Sequence, residues 1–140
     1  MNQSASLWRS VGAIIVGALV GILLSLGTDL LLHAAGLLPV PPQPASNAML
    51  ALATVYRTIY GILGSYICAR LAPLLPMRHS IILGCLGLAA NVAGTAATWN
   101  KGPAYGSHWY PIALILLALP TAWLGAKIFI AQAGRASRAV

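Results

Sequence analysis

Residues 11–32 read VGAIIVGALVGILLSLGTDLLL, a long apolar run that contains one charge, Asp29. A bilayer core about 30 Å thick is crossed by roughly 20 apolar residues, because an α-helix rises about 1.5 Å per residue. The run therefore predicts a membrane-spanning helix. The part from Val11 to Leu26 is longer than the apolar region of a typical cleaved signal peptide, so we expect the helix to stay in the protein.

The composition of the whole chain supports a membrane protein. Of its 140 residues, 59% are hydrophobic and 6% are charged, whereas average soluble domains carry about 25% charged residues. Three further segments are long and apolar enough to span a bilayer, at about residues 48–71, 80–99 and 110–130. Together with the span at 11–32 they predict an all-α fold. We expect one transmembrane domain over residues 1–140, a polytopic, antiparallel bundle of four transmembrane helices with consecutive helices adjacent.

The basic residues predict the orientation of this bundle. Of the eight Lys and Arg residues, Arg57 lies inside a span and Lys101 lies between spans three and four. The other six lie near or beyond the span ends on one side of the membrane: Arg9, Arg70, Arg78, Lys127, Arg135 and Arg138. Cytoplasmic segments carry the excess of Lys and Arg, so we expect both termini in the cytoplasm (N-in/C-in). Aromatic residues, which prefer membrane interfaces, cluster near the opposite face: Trp99, Tyr105, Trp109 and Tyr110.

Small residues recur along the predicted spans at intervals of three or four. Helices in lipid gain nothing from hiding apolar surface from one another, so close van der Waals contact between small residues holds them together. We therefore predict helix packing at five positions of spans one, two and three: Gly17, Gly21, Gly61, Ser65 and Gly87.

The two intramembrane charges extend these rows of small residues. Asp29 follows Gly17, Gly21 and Ser25 at four-residue steps, and Arg57 lies four residues before Gly61. Because spans one and two are antiparallel, the two charges come to similar depth, and we predict an Asp29–Arg57 ion pair that offsets the cost of an unpaired Arg in the bilayer. Two roles remain open for this pair: a structural clamp between the two helices, or a site for a ligand, lipid or ion.

A second group of polar residues shares one face of span three. Asn91, Thr95 and Thr98 are spaced by four and three residues, and Asn91 lies near mid-membrane, where its amide needs an interhelical partner. These three residues and His33 are candidates for the wall of a polar cavity beside the ion pair. The alternative for Asn91 is packing and register alone.

The scarcity of charge excludes several classes of function. With Asp29 as the single acid, the chain lacks the paired carboxylates of glycoside hydrolases and aspartic proteases. Its three His residues are divided between the two membrane faces, which predicts no metal site, and no catalytic triad or phosphate-binding glycine motif is present. The scattered basic residues do not form the cluster that nucleic acid requires. We therefore expect no enzyme activity, no cofactor and no nucleic-acid partner.

Four stretches resemble an uncharacterised family of small bacterial four-span integral membrane proteins. They read TDLLLHAAGLLP (28–39), TVYRTIYGILGSYICARLAP (54–73), PMRH (76–79) and GPAYGSHWYPIALILLALPTAWLG (102–125). The resemblance implies a multi-pass protein of the bacterial inner (cytoplasmic) membrane and brings no activity with it. The small multidrug exporters are of similar size but place a Glu in their first span, and this chain contains no Glu.

Two functions are consistent with these features. The first is a non-catalytic helix-packing or accessory protein, whose partners are the lipid bilayer and either further copies of the chain or a larger membrane complex. The alternative is a minimal oligomeric transporter or channel for a small solute or ion, with Asp29, Arg57 and Asn91 along its path.

Overall fold

The computed structural model describes residues 3–39, 43–102 and 106–138 and contains four α-helices in these ranges. They are α1 (Gln3–Ala34), α2 (Asn47–Leu71), α3 (Pro76–Thr98) and α4 (Trp109–Ala136), and the described residues contain no strand. Each helix is long and apolar enough to cross a membrane. The predicted all-α fold of four transmembrane helices is confirmed, and the protein is a multi-pass membrane protein.

The helices begin and end at recognisable signals. The Ser46 side chain caps α2 by accepting a hydrogen bond from the Met49 backbone N–H (3.3 Å). A four-residue connector, 72–75, separates α2 from α3, and Pro76 occupies the first turn of α3, where its missing N–H costs nothing. Helix α3 therefore begins earlier than the predicted span at residue 80. Helices α1 and α4 also extend past their apolar runs, since a helix does not need to end where the hydrocarbon does.

Specific contacts define the direction of each helix. Gly17 meets Gly64 and Asp29 meets Arg57, so α1 and α2 are antiparallel. Helices α3 and α4 are also antiparallel, with Gly84 next to Ala122 and Asn91 next to Leu114.

Helices α2 and α4 run parallel. Asn47 bonds Trp109 near one end of the pair, and Tyr66 bonds Gln132 near the other. We call the end at which α1 ends and α4 begins the connector end, and the end at which α1 begins and α4 ends the terminal end.

Helix α2 lies at the centre of the bundle and packs against all three other helices. Consecutive helices are adjacent, as predicted. The most extensive contact, however, joins α2 to α4, which are not consecutive, and α1 packs chiefly against α2. Much of α1 therefore faces the surroundings, with large apolar side chains such as Leu23, Leu30 and Leu31 exposed. In a bilayer these side chains meet lipid.

Most residues at the buried helix contacts are small, as expected where close approach rather than hydrophobic burial joins the helices. Among the described residues, the buried side chains larger than Cys are Leu50 and Tyr56, and the others are small: Ala13, Ser65, Cys68, Ala53, Ala69, Ser80, Ala122 and Ala126. Tyr105, one of the aromatic residues predicted at the outer interface, lies outside the described residues.

Four of the five predicted packing positions lie at helix contacts. A Cβ on Gly17 would lie 2.7 Å from both the Gly64 carbonyl oxygen and the Cys68 Cβ. A Cβ on Gly21 would lie 3.5 Å from the Tyr60 carbonyl oxygen. A Cβ on Gly61 would lie 3.4 Å from Thr121 Oγ1. Ser65 is 4% exposed and, through its carbonyl, accepts a hydrogen bond from the Ser80 hydroxyl at 2.9 Å.

The fifth position, Gly87, does not lie at a helix contact within the chain. A Cβ at this position would meet nothing within 4 Å. Gly84, three residues earlier, is the close-contact position of α3, since its Cβ would lie 2.6 Å from the Ala122 Cβ. At about 100° per residue, Gly87 lies about 60° around the helix from Gly84 and points away from that contact. Gly64 and Gly125, which the spacing did not single out, are close-contact positions as well: added Cβ atoms would clash with the Gly17 and Ile62 carbonyl oxygens.

Candidate functional site

Asp29 and Arg57 form the predicted ion pair across α1 and α2. Arg57 Nη2 lies 2.5 Å from Asp29 Oδ2, and the Arg57 and Asp29 side chains are 34% and 20% exposed. The second carboxylate oxygen, Oδ1, accepts a hydrogen bond from the Tyr56 hydroxyl. Both oxygens of the only acid in the chain are thus bonded to two consecutive residues of α2.

A neighbouring hydroxyl pair extends this contact. The Thr28 and Tyr60 hydroxyls are hydrogen-bonded at 2.9 Å, and the Tyr56 and Tyr60 rings lie 5.9 Å apart. Two consecutive residues of α1 therefore bond three residues of α2. We call the five residues Thr28, Asp29, Tyr56, Arg57 and Tyr60 the α1–α2 polar cluster.

The guanidinium of Arg57 keeps donors that the cluster does not use. Its Nε is buried and donates no hydrogen bond to any described residue. Tyr110, in the first turn of α4, lies within electrostatic range of both Arg57 and Asp29.

Tyr110 also lines a groove between α3 and α4 in the connector half of the bundle. The groove has a volume of about 250 Å³. Its lining combines polar and apolar side chains of the two helices: Ala90, Asn91, Gly94, Thr95, Thr98, Tyr110, Pro111 and Leu114. We call it the α3–α4 groove.

Asn91 joins the two walls of this groove. Its Nδ2 donates to the Leu114 carbonyl at 3.2 Å, which gives the amide the interhelical partner that its depth predicted. The Thr95 hydroxyl donates to the Asn91 carbonyl (2.6 Å) and the Thr98 hydroxyl to the Gly94 carbonyl (2.9 Å). Both threonines therefore use their protons within α3 and present hydroxyl oxygens as acceptors.

The structure supports the predicted polar cavity only in part. Asn91, Thr95 and Thr98 line one groove together, but Asp29 and Arg57 are not in its lining. His33 is not in the lining of this groove either. It is exposed, and its Nδ1 donates to the Asp29 backbone carbonyl at 2.7 Å, one turn back in the same helix.

Sequence reasoning missed the four aromatic and hydroxyl residues that complete the site. Thr28, Tyr56 and Tyr60 belong to the α1–α2 polar cluster, and Tyr110 lines the α3–α4 groove. One signal could have found two of them. Tyr56 and Tyr60 lie well inside span two, where a phenol needs a hydrogen-bond partner, and they flank the only intramembrane Arg.

The described side chains of the site are joined by hydrogen bonds and one ion pair. Within the described residues no three His, Cys, Asp or Glu side chains gather as metal ligands would. Both cysteines are free: Cys68 is buried and Cys85 is exposed. The site consists of a paired guanidinium and carboxylate between α1 and α2, and of a groove between α3 and α4 whose threonine hydroxyls are acceptors.

Comparison with known proteins adds no relative. The chain matches no protein-family model, and neither a curated protein nor a solved structure is recognisably similar to it.

Proposed function

We propose that the chain is a small, non-catalytic accessory protein of the bacterial inner membrane, in which the α1–α2 polar cluster acts as a structural clamp. Both termini then lie in the cytoplasm, because the six basic residues at the terminal end follow the rule that cytoplasmic segments are positive. The main observation that supports the clamp is that both carboxylate oxygens of Asp29 are bonded to α2, one to Tyr56 and the other to Arg57.

A clamp is needed at this end of α1. Helix α1 packs chiefly against α2, and toward the connector end a Cβ on Gly27 would meet nothing within 4 Å. Close glycine packing therefore stops near Gly21, and hydrogen bonds from Thr28 and Asp29 continue the contact. Polar bonds between helices replace steric contact where the helices are less closely packed.

The accessory role rests on the surface that this arrangement leaves for partners. Because α1 contacts chiefly one neighbour, its outer face is open along the bilayer to further copies of the chain or to a larger membrane complex. Solubilisation in a mild detergent followed by native mass spectrometry tests this role. We expect a discrete assembly larger than one chain, and a strict monomer under conditions that keep the helices folded would contradict it.

A charge exchange tests the clamp separately. We expect Asp29→Arg and Arg57→Asp each to lower the amount of folded protein in the membrane, and the double variant to restore it, since the pair is re-formed in reverse. Thermal unfolding of the purified variants supplies the second readout. The clamp would be contradicted if both single variants were as abundant and as stable as wild type. It would also be contradicted if the double variant were as unstable as the single variants.

A second candidate is a minimal oligomeric transporter or channel. The α3–α4 groove favours it, because polar side chains line an opening within the spans. Liposomes that contain the protein and a pH-sensitive dye or radiolabelled Na⁺ or Cl⁻ test it. Flux that Asp29→Asn abolishes would replace the accessory role, and flux equal to that of protein-free liposomes for all three ions would remove the candidate for these ions.

A further inference from the structure

We propose that the α3–α4 groove binds a lipid whose head carries a primary ammonium group, as in phosphatidylethanolamine. The ammonium donates hydrogen bonds to the hydroxyl oxygens of Thr95 and Thr98. This site goes beyond the accessory role and depends neither on that role nor on the clamp. Three features of the groove support it: its acceptor oxygens, its opening on the side of the bundle, and the opposite polarity of the two helix ends that border it.

The first feature is that the two threonine hydroxyls of the groove are left as acceptors. The Thr95 hydroxyl donates its proton to the Asn91 carbonyl at 2.6 Å, and the Thr98 hydroxyl donates its proton to the Gly94 carbonyl at 2.9 Å. A hydroxyl carries one proton and two lone pairs, so both oxygens keep the capacity to accept. None of the eight described residues that line the groove is charged. The groove therefore suits a ligand that brings N–H or O–H donors.

The spacing of these two hydroxyls fits an ammonium group. Residues three apart on a helix share one face, and their Cβ atoms lie about 5–6 Å apart. A nitrogen midway between the hydroxyls of Thr95 and Thr98 is therefore about 3 Å from each oxygen, an ordinary N–H···O distance. A primary ammonium has three N–H donors and can make both bonds. The quaternary ammonium of phosphatidylcholine has no N–H and can make neither.

The second feature is that the groove opens toward lipid. Its lining comes from Ala90 to Thr98 of α3 and from Tyr110 to Leu114 of α4, all within candidate spans. Ala90 and Gly94 are exposed, so the opening is on the side of the bundle. The volume of about 250 Å³ far exceeds the roughly 10–15 Å³ that a single water needs, so the groove admits a head group of several non-hydrogen atoms.

A lipid head fits the groove better than the open face of a second copy does. Helix α1 has the most open surface in the connector half, and its large exposed side chains there are hydrocarbon, such as Leu26, Leu30 and Leu31. These side chains would bring no donor to Thr95 or Thr98. The acceptor oxygens of the groove therefore favour a donor-bearing lipid.

The third feature is the polarity of the two helix ends beside the groove. Helix α3 ends at Thr98 and α4 begins at Trp109. The C-terminal end of a helix favours a cation, and the N-terminal end favours an anion. The last turn of α3 holds no basic residue and the first turn of α4 holds no acidic one, so neither end is compensated within its own helix. Lys101 follows in the connector and is not in the lining. A zwitterionic head matches both ends, with its ammonium toward α3 and its phosphate toward α4.

Two substitutions with matched controls test where the head binds. Thr95→Val removes one acceptor with little change in volume. Thr58→Val is its control, because the Thr58 hydroxyl donates to the Thr54 carbonyl at 2.6 Å in the same i−4 geometry, on α2 and outside the groove. Gly94→Leu fills the groove, since a Cβ on Gly94 would meet nothing within 4 Å. Gly87→Leu is its control, at a position that is equally open but outside the lining.

Native mass spectrometry of the detergent-solubilised full chain tests the proposal with four lipids. These are phosphatidylethanolamine, its N-methylated and N,N-dimethylated forms, and phosphatidylcholine, which share one net charge and carry three, two, one and no N–H donors. We expect the first two to bind with similar affinity, because two acceptors need two donors. The dimethylated lipid should bind about tenfold more weakly, and phosphatidylcholine about tenfold more weakly again, since each step removes one hydrogen bond to a charged group.

The variants change this order in a specific way. In Thr95→Val one acceptor remains, so we expect phosphatidylethanolamine to bind about tenfold more weakly than to wild type. The dimethylated lipid should then bind as tightly as phosphatidylethanolamine, because one donor is enough. Gly94→Leu removes the binding event, whereas Thr58→Val and Gly87→Leu retain the wild-type order of the four lipids.

Several outcomes would overturn the proposal. Equal affinity for phosphatidylethanolamine and phosphatidylcholine would do so, as would the wild-type order of lipids in Thr95→Val or an equal loss in Thr58→Val. Tighter binding of phosphatidylglycerol than of phosphatidylethanolamine would indicate a preference for anionic lipid and contradict it too. Free phosphoethanolamine is expected not to compete where the lipid saturates, and binding as tight as that of the lipid would place the ligand in water instead of the bilayer. A failed charge exchange at Asp29 and Arg57 would refute the clamp and leave these groove measurements interpretable.

Discussion

The two halves of the α1–α2 interface hold the same pair of helices by different means. In the terminal half, Gly17 and Gly64 bring the two backbones into contact, and no side chain could be added at either position without a clash. In the connector half, Asp29 bonds Tyr56 and Arg57 through directional hydrogen bonds. The first half depends on shape and the second on charge and geometry. Substitutions in the two halves therefore fail for different reasons, and this difference can be measured.

The largest loss of stability is expected in the terminal half, from a substitution that adds a single methyl group. Gly17→Ala places a Cβ 2.7 Å from the Gly64 carbonyl oxygen, and we expect a loss of about 3 kcal/mol, the upper end of typical overpacking costs. The matched control is Gly12→Ala on the same helix, where a Cβ meets nothing within 4 Å. Because Gly weakens helices by roughly 0.5–1 kcal/mol relative to Ala, the control should be stabilised. Thermal unfolding in detergent checks both, and equal effects would contradict the steric account.

In the connector half, Arg57→Met should rank second. It leaves the Asp29 carboxylate without its charged partner, which costs 3–5 kcal/mol for a fully buried pair. Since Arg57 is 34% exposed, solvent screening reduces our expectation to about 2 kcal/mol. Arg70→Met, an exposed Arg at the terminal end of the same helix, is the control and should stay within about 0.5 kcal/mol of wild type. Chemical denaturation in mixed micelles measures the free energy of unfolding of both variants. Equal losses in the two variants would show that the ion pair contributes nothing to stability.

Two tyrosines one helical turn apart test whether charge strengthens the hydrogen bonds of the polar cluster. Tyr56→Phe removes a bond to a carboxylate, which is worth about 1.5 kcal/mol or more. Tyr60→Phe removes a bond to the neutral Thr28 hydroxyl, for which about 0.6 kcal/mol is typical between membrane helices. Thermal unfolding of the two variants side by side gives the ranking. If Tyr60→Phe is the more damaging, the carboxylate is not the centre of the cluster.

The smallest loss is expected outside this interface, at Asn91. Asn91→Leu removes the amide that donates to the Leu114 carbonyl. Leu114 lies inside helix α4, so the substitution leaves the helical backbone around this carbonyl unchanged. A single interhelical hydrogen bond in a membrane contributes about 0.6 kcal/mol, so the variant should unfold close to wild type. A loss above about 2 kcal/mol would show that the α3–α4 contact depends on this bond far more than the α1–α2 contact depends on its neutral hydroxyl pair.

The sequence predicted the elements of this fold well because their signals are local. Apolar runs of membrane length gave the four helices, and the i+4 spacing correctly singled out Gly17. The ion pair was predictable because the chain has one acid and one intramembrane Arg, and antiparallel neighbours bring them together.

The remaining features depend on rotations and angles between helices, which spacing does not contain. Gly87 belongs to the same small-residue pattern as Gly84 but is turned about 60° away from the α4 contact. Tyr110 looks like an ordinary interfacial aromatic residue in the sequence, and only the antiparallel packing of α3 and α4 places it in the lining of the groove. His33 continues the i+4 row of Asp29, yet its ring bonds backwards to its own helix.

A double-mutant cycle on Asp29 and Arg57 tests the clamp most directly. The free energy of unfolding is measured for wild type, Asp29→Asn, Arg57→Gln and the double variant under one detergent condition. We predict that the double variant loses less than the sum of the single variants, with a coupling of about 1 kcal/mol or more, as for residues in direct contact. Single-variant effects that add within about 0.3 kcal/mol would show that the two residues act independently and would contradict the clamp.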